Sequence, residues 1–308
     1  MFREKISAPQ LGAWLFAALV PVGLQLLGST PWIWVAGSGL FSLLLASSLW
    51  RSPREVSRLE SGLLFIYVSV LMGQLLHETA QSWPVGNSDP AVPLILLGLA
   101  AWSAQKGPGA AARVGAVLFW VVLGLYLVVF AAGVKDVKLS WLKPDLYEPD
   151  WMGLTVFLLP WAGAGLLKTR GNPGRHGWLT VAFILVGILI TAGVLSPAMA
   201  VGSANAFYDM SRSLDLLGVA RRFEALICAG ATVGWFALLS VFLTLCGSYG
   251  QKVFPGRGRA GVWAAAGAAA VWKLCGLHIN PIYLLLAGTV FWVVVPLLAQ
   301  GLGKIKKS

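Results

Sequence analysis

Two short stretches rich in proline and glycine hold the residues best suited to bind a small molecule. The first is Pro21-Val22-Gly23 within the apolar segment 11–28, and the second is 160–165 (PWAGAG) within the apolar segment 152–167. Proline lacks a backbone N–H and glycine loosens a helix, so both stretches are predicted to break their helices. A broken helix exposes N–H groups that suit a carboxylate and carbonyl groups that suit an ammonium ion.

The two stretches therefore predict a site for a small molecule, and their exposed groups would suit the carboxylate and the ammonium group of an amino acid. The residues expected to hold it through their backbone are Val22, Gly23, Ala162, Gly163 and Ala164, while Trp161 is placed to close over the ligand's side chain. The alternative is structural: the prolines only kink packed helices, and the glycines let helices cross closely.

Several ionisable residues in or beside apolar segments are further candidates. Glu224 begins the apolar segment 223–246, where it is placed either to meet a ligand ammonium group or to interact favourably with the helix dipole. Lys273 lies near the end of a short segment, so its side chain is expected to extend to the surface. His77 and Glu78 end the third apolar segment, where a gating role and simple solvation both stay open.

Sequence patterns for catalysis, metal binding, disulfide bonds or nucleotide binding are weak in this chain. The three histidines fall on different predicted loops, and the three cysteines lie in or beside apolar segments, which predicts buried free thiols rather than disulfides or metal ligands. The G-x-G-x-x-G pattern at 256–261 follows no predicted strand, which argues against a dinucleotide site. The sequence predicts neither an enzyme nor a bound metal or cofactor.

Composition places these residues in a membrane. The 308-residue chain is 57% hydrophobic and 11% charged, and its apolar runs match the length needed to cross a bilayer. Ten segments are predicted to cross, at 11–28, 31–50, 61–77, 90–105, 111–134, 152–167, 178–196, 223–246, 261–276 and 281–300. Within them, Gln25 and Gln74 are expected to form hydrogen bonds across helices.

The basic residues predict the orientation. With ten helices and a cytoplasmic N-terminus, 16 of the 23 Lys and Arg residues fall on the cytoplasmic side, as the positive-inside rule requires. Both termini are then cytoplasmic. The net charge of +11 follows from this topology, with some attraction to anionic membrane lipid, and it requires no nucleic-acid partner.

The predicted fold is an all-α polytopic membrane protein with one domain over residues 1–308. Residues 11–134 and 152–300 hold five segments each, and an odd number per half makes the second half enter from the opposite side. The result is a five-plus-five inverted repeat with broken helices 1 and 6. Between segments seven and eight, Phe207, Met210, Leu214 and Leu217 repeat at helical spacing and predict an amphipathic surface helix, either a lid or a plain connector.

Three local motifs resemble one known family. Residues 4–11 (EKISAPQL) are similar to the K-x-S-x-x-Q start of the spore germination permease subunits, and 222–226 (RFEAL) resembles their R-[IFL]-[ED]-A-[LF] signature. Lys106-Gly107 followed by Ala112-Arg113 resembles their segment between helices four and five. These proteins are the membrane-embedded B subunits of germinant receptors, in the amino acid-polyamine-organocation superfamily.

The resemblance implies a place in a cell membrane or a spore inner membrane. It also implies sensing of a small germinant, often an amino acid, beside two partner subunits, one with cytoplasmic domains and one a lipoprotein. Two alternatives stay open from the residues themselves: a secondary transporter of an amino acid or another small solute, and an assembly scaffold that binds nothing.

Overall fold

The computed structural model describes residues 6–51, 56–81, 91–142, 148–164, 167, 169–170, 174–203, 205–214, 223–296 and 298. Most of these residues are helical, so the prediction of an all-α chain is confirmed. The described α-helices are α1 (Ala8–Leu27), α2 (Trp32–Arg51), α3 (Arg58–Gln81), α4 (Ala91–Ala104), α5 (Pro108–Val134), α6 (Trp151–Ala164), α7 (Gly174–Leu195), α8 (Pro197–Gly202), α9 (Ala206–Ser213), α10 (Glu224–Val253), α11 (Gly258–Leu274) and α12 (Pro281–Thr289). Short additional elements are a 3-10 turn at Leu139–Trp141, a π-helical turn at Val290–Val294, and the strands β1 (Ile6–Ser7) and β2 (Thr169–Arg170).

The helices fit a membrane protein by length and composition. Among the described residues, five helices are long and apolar enough to cross a membrane, namely α1, α3, α5, α7 and α10. In α1 the most apolar window is 89% buried inside the protein, whereas in α5 only 28% is buried. Because α5 turns large apolar side chains such as Trp120 and Val117 outward, its outer face needs an apolar environment.

Helix α1 contradicts the predicted interruption at Pro21-Val22-Gly23, because it runs through these residues without a break. Pro21 has no N–H to offer the carbonyl of Ala17, so one backbone bond is missing. Packing supports the helix at this point. A Cβ on Gly234 of α10 would lie 2.5 Å from the Cβ of Pro21, and a Cβ on Gly23 would lie 3.0 Å from Cδ1 of Ile184.

Helix α6 also contradicts the predicted break, since it continues through Pro160 as far as Ala164. Gly165, the last residue of that stretch, lies outside the described residues. The start of α6 is well capped: Oδ1 of Asp150 accepts hydrogen bonds from the N–H groups of Met152 at 2.8 Å and Gly153 at 3.1 Å. Such a cap satisfies backbone donors that a helix start otherwise leaves open.

Helices α1 and α6 lie side by side and run in opposite directions. At one end, a Cβ on Gly153 would lie 2.7 Å from Cδ2 of Leu27. At the other end, β1 precedes α1 and pairs in parallel with β2, which follows α6, so that Ile6 lies opposite Thr169. The start of each helix is therefore beside the end of the other.

The predicted amphipathic helix is confirmed in α9. Its N-cap Asn205 accepts a hydrogen bond from the N–H of Tyr208 at 3.2 Å. Phe207 and Met210 are buried, and Phe207 stacks on Tyr126 of α5 with ring centroids 5.7 Å apart. Leu217, the last residue of the predicted pattern, lies outside the described residues. The apolar face of α9 thus packs on the helix bundle, while its role as a lid stays a prediction.

Candidate functional site

The two residues predicted to bind ligand in α1 are packed between neighbouring helices. Val22 is fully buried, and its Cγ2 would lie 3.3 Å from a Cβ placed on Gly234 of α10. Gly23 is buried against Ile184 of α7. Because α1 is continuous here, neither residue offers the free N–H groups of a helix start, so the predicted mode of carboxylate binding in α1 is wrong.

The predicted residues of α6 occupy its last turn. The Trp161 side chain is fully buried, and its Cη2 would lie 3.2 Å from a Cβ placed on Gly177 of α7. A Cβ on Gly163 would lie 3.1 Å from both Cδ1 of Leu245 and Cζ2 of Trp292. Ala162 and Ala164 belong to the same turn, but their side chains lie outside the described part of the structure.

The two predicted stretches do not lie directly opposite each other. Since Gly153 is level with Leu27 and a helix rises about 1.5 Å per residue, Gly163 is roughly level with Ala17. Val22 therefore lies about 8 Å further along the helix axis than Gly163. Pro21 leaves the carbonyl of Ala17 without its usual donor, and Ala17 is at about the level of Gly163. Pro160 likewise leaves the carbonyl of Val156 without its usual donor, at about the level of Gly23.

Two buried hydroxyl groups near the last turn of α6 were not anticipated from the sequence. Thr180 lies one turn beyond Gly177, the residue against which Trp161 packs, and Thr244 precedes Leu245, which contacts Gly163. Both threonines are fully buried, and neither hydroxyl has a hydrogen-bond partner among the described residues. A buried hydroxyl without a partner costs about 1–3 kcal/mol, so each of these groups calls for an explanation beyond packing.

Glu224 lies apart from this region. It is the first residue of α10 and is half-buried, near Tyr208 of α9. Gly234, which contacts Val22, is ten residues further along the same helix, so Glu224 lies about 15 Å from the level of Val22. The structure therefore does not bring Glu224 together with the other predicted ligand-binding residues.

The two glutamines form the predicted hydrogen bonds between helices. Oε1 of Gln25 in α1 accepts from the indole N–H of Trp235 in α10 at 2.9 Å. Gln74 in α3 accepts from the backbone N–H of Ile279 at 3.3 Å, beyond the end of α11. These bonds satisfy polar groups that would otherwise be buried without partners.

A polar cluster at the end of α3 corrects the prediction that the histidines are dispersed. His77 and His278 lie with their ring centroids 5.8 Å apart, although they are far apart in the sequence. Nζ of Lys273 lies 3.5 Å from Nδ1 of His77, so the lysine turns toward this cluster. Only the folded arrangement of α3 against α11 creates this group, and spacing along the chain carries no signal for it.

The cysteines follow the prediction in part. Cys228, Cys246 and Cys275 are free thiols, and Cys246 is buried, but Cys275 is exposed in the turn after α11. Within the described residues, no group of three or more His, Cys, Asp or Glu side chains is arranged to hold a metal ion.

Comparison with known proteins adds no identification. The chain matches no model of a known protein family, and no curated protein is detectably similar to it.

Proposed function

We propose that this chain is an integral membrane protein of ten helices in a five-plus-five inverted repeat that binds a small solute carrying an ammonium group, with an amino acid as the leading candidate. Segments one to five correspond to α1, α2, α3, α4 and α5. Segments six to ten correspond to α6, α7, α10, α11 and α12 with its π-helical turn. In this scheme α8 and α9 form the connection between segments seven and eight.

The packing of the helices supports the repeat. Equivalent pairs are in contact in both halves: α1 packs on α5 as α6 packs on α12, and α1 packs on α7 as α6 packs on α2. In the same way, α3 packs on α11 as α4 packs on α10. The opposite directions of α1 and α6 are those that an inverted repeat requires.

The observation that carries the binding proposal is the set of unused polar groups around the last turn of α6. Pro21 leaves the carbonyl of Ala17, at about the level of Gly163, without its usual donor, and the hydroxyl of Thr244, next to Leu245 on the Gly163 side of α6, lacks a partner among the described residues. Carbonyl and hydroxyl oxygens together suit an ammonium group. Gly163, with Leu245 and Trp292 packed against it, would then form the apolar wall of the site.

The biological role rests on the sequence motifs. The resemblance of residues 4–11 and 222–226 to germination permeases favours a germinant receptor subunit that signals through its partner subunits. Within the segment 4–11, Ser7 caps the start of α1, because its hydroxyl accepts from the N–H of Gln10 at 3.4 Å. Both termini are proposed to be cytoplasmic, in a cell membrane or a spore inner membrane.

The test of the binding proposal is a panel of amino acids and simple amines, measured by thermal shift on the purified protein. We expect at least one compound to raise the midpoint of unfolding, and Thr244→Val to abolish that rise because it removes one hydroxyl without changing the side chain's shape. Thr232→Val is the matched control, since the Thr232 hydroxyl on the same helix already donates to the carbonyl of Cys228 at 2.8 Å. A full ligand response in folded Thr244→Val protein would contradict the site.

Uptake then separates a receptor from a transporter. A labelled ligand identified by thermal shift is offered to proteoliposomes under an imposed proton gradient. Accumulation well beyond one solute per protein would establish transport, whereas binding without accumulation would support the receptor role.

A further inference from the structure

A shallow groove runs between α4 and α11 on the outer surface of the helix bundle. The two helices pack on each other and run antiparallel, since the indole N–H of Trp263, near the start of α11, donates to Oε1 of Gln105, just past the end of α4, at 3.1 Å. Gly98 lies on the Gln105 face of α4 about two turns away, and Gly267 lies on the Trp263 face of α11 about one turn away. A Cβ on either glycine would meet no atom of another helix within 4 Å, so an open space lies between the helices beyond this hydrogen bond.

Large apolar side chains form the rims of the groove. Ile95, Leu99 and Trp102 follow one another at helical spacing along α4, and Trp263 and Val271 do so along α11. Each of these side chains is at least 47% exposed. A contiguous exposed surface of this kind needs an apolar cover, and its length and shape suit a hydrocarbon chain that lies along the two helices.

Basic side chains gather at the end of the groove where the two tryptophans lie. Nζ of Lys106 is 4.5 Å from the centre of the Trp102 ring, in a cation–π contact. Arg257 and Arg259, at the start of α11, are exposed. At this end of the bundle, the one acidic side chain within the described ranges is Glu60, which is buried at the start of α3. The apolar groove therefore ends in a surface of net positive charge.

The combination of an apolar groove and a basic end matches one kind of occupant best. A phospholipid with an anionic headgroup brings a hydrocarbon chain and a negative charge at one end of it. A second copy of the chain fits less well, because docking by the same face in the same membrane orientation would bring its own Lys106 and arginines against these.

We infer that the groove between α4 and α11 binds an anionic membrane phospholipid, with one acyl chain along the groove and the phosphate beside Lys106 and Arg259. Trp102 and Trp263 then lie at the level of the headgroups, where amphipathic rings are favoured. The stem of Lys106 stays on the Trp102 ring while its ammonium group faces the phosphate. The inference relies on the membrane location of the helices, and it does not depend on the solute site proposed above.

The experiment is native mass spectrometry of the intact protein, equilibrated in detergent with equal amounts of dioleoylphosphatidylglycerol and dioleoylphosphatidylcholine. The two lipids share their acyl chains and differ in headgroup charge, so the ratio of their one-to-one complexes measures the preference for an anionic headgroup. We expect the wild-type protein to retain phosphatidylglycerol in preference. Lys106→Gln should lower the ratio about fivefold, the change expected from one basic residue beside an anionic lipid.

Lys138→Gln is the matched control for the charge. Nζ of Lys138 lies 4.2 Å from the centre of the Trp141 ring, in the same kind of contact as Lys106, but beyond the end of α5 and so at the opposite end of the bundle. This variant removes the same charge and should leave the ratio unchanged. Equal retention of the two lipids by the wild-type protein would overturn the inference, as would an equal loss of preference in the two lysine variants.

A second pair of variants tests the groove itself. Gly98→Leu fills the space between α4 and α11 without changing the charge, so it should remove the preference for phosphatidylglycerol. Gly124→Leu adds the same side chain to α5, where a Cβ also meets no atom of another helix within 4 Å, and should keep the preference. A protein dimer that disappears in Gly98→Leu would show that a second copy occupies the groove and would overturn the inference. If Gly98→Leu does not fold, the wild-type protein and the two lysine variants still decide.

Discussion

Pro21 of α1 packs directly against Gly234 of α10, so closely that a Cβ on the glycine would lie 2.5 Å from the Cβ of the proline ring. The contact joins two rigid groups, since neither the ring nor the helix backbone can rotate away. It also supports α1 at the one place where its backbone hydrogen bonding is interrupted.

Gly234→Ala is therefore expected to destabilise the protein by about 1–3 kcal/mol, because the new methyl group overpacks the contact with Pro21. Gly124→Ala in α5 is the matched control: a Cβ there meets no atom within 4 Å, and the higher helix propensity of alanine should leave stability unchanged or slightly raised. Unfolding of both variants in the same detergent measures the difference. Equal stability of the two variants would show that the structure relieves the close contact between Pro21 and the new methyl group at little cost.

Thr180→Val should stabilise the ligand-free protein by about 1 kcal/mol, since it removes a buried hydroxyl that has no partner among the described residues. Thr191→Val on the same helix should have the opposite effect, a loss of about 0.5–1 kcal/mol, because the Thr191 hydroxyl donates to the carbonyl of Gly187 at 2.8 Å. Denaturant or thermal unfolding of both variants tests the contrast. A loss of stability in Thr180→Val would indicate that its hydroxyl is satisfied in the native protein.

The sequence predicts the helices well and their interruptions poorly. Apolar runs about as long as a bilayer is thick mark α1, α3, α5, α7 and α10, because this signal is local. Whether Pro21 breaks its helix depends on its packing against Gly234, which is more than two hundred residues away in the sequence. No local sequence pattern predicts that contact. The same limit explains the candidate site: Trp161 and Gly163 were found from their own proline-rich stretch, but Thr180 and Thr244 join them only through the packing of α7 and α10.

The histidine cluster was missed for a related reason. His77 and His278 end up in contact because α3 packs along α11, while their separation in the sequence predicts nothing about their distance. Gln74 did carry a signal, since a buried amide in an apolar segment needs partners in other helices. That signal indicated a bond without indicating that its partner would be a histidine.

The bond between Gln25 and Trp235 links α1 to α10 inside the protein. Gln25→Leu should cost about 1–3 kcal/mol, because the buried indole N–H of Trp235 would lose the acceptor it uses. Trp235→Phe together with Gln25→Leu should recover part of that loss, since the indole N–H that lost its acceptor is then absent as well. A double-mutant cycle of unfolding free energies measures the coupling, and simple additivity of the two single changes would rule out a significant bond.

Asp150 caps α6 from a half-buried position, and desolvation raises the pKa of its carboxyl, although the N–H groups of Gly153 and Met152 favour the charged form. Because the folded protein then holds this proton more strongly than the unfolded chain does, the contribution of Asp150 to stability is greatest at low pH and declines as the pH rises through the raised pKa.

Asp150→Asn keeps an acceptor for the cap without a charge to bury, so its stability relative to the wild-type protein should be higher at pH 7.5 than at pH 4. Asp150→Ala removes the same carboxyl, so its difference from the wild-type protein should follow the same pH trend, but it should be about 1 kcal/mol less stable than Asp150→Asn throughout because the cap itself is gone. Unfolding of the three proteins across this pH range tests the assignment, and a wild-type protein that gains stability over Asp150→Asn as the pH rises would show that the hydrogen bonds, rather than burial, control this carboxyl.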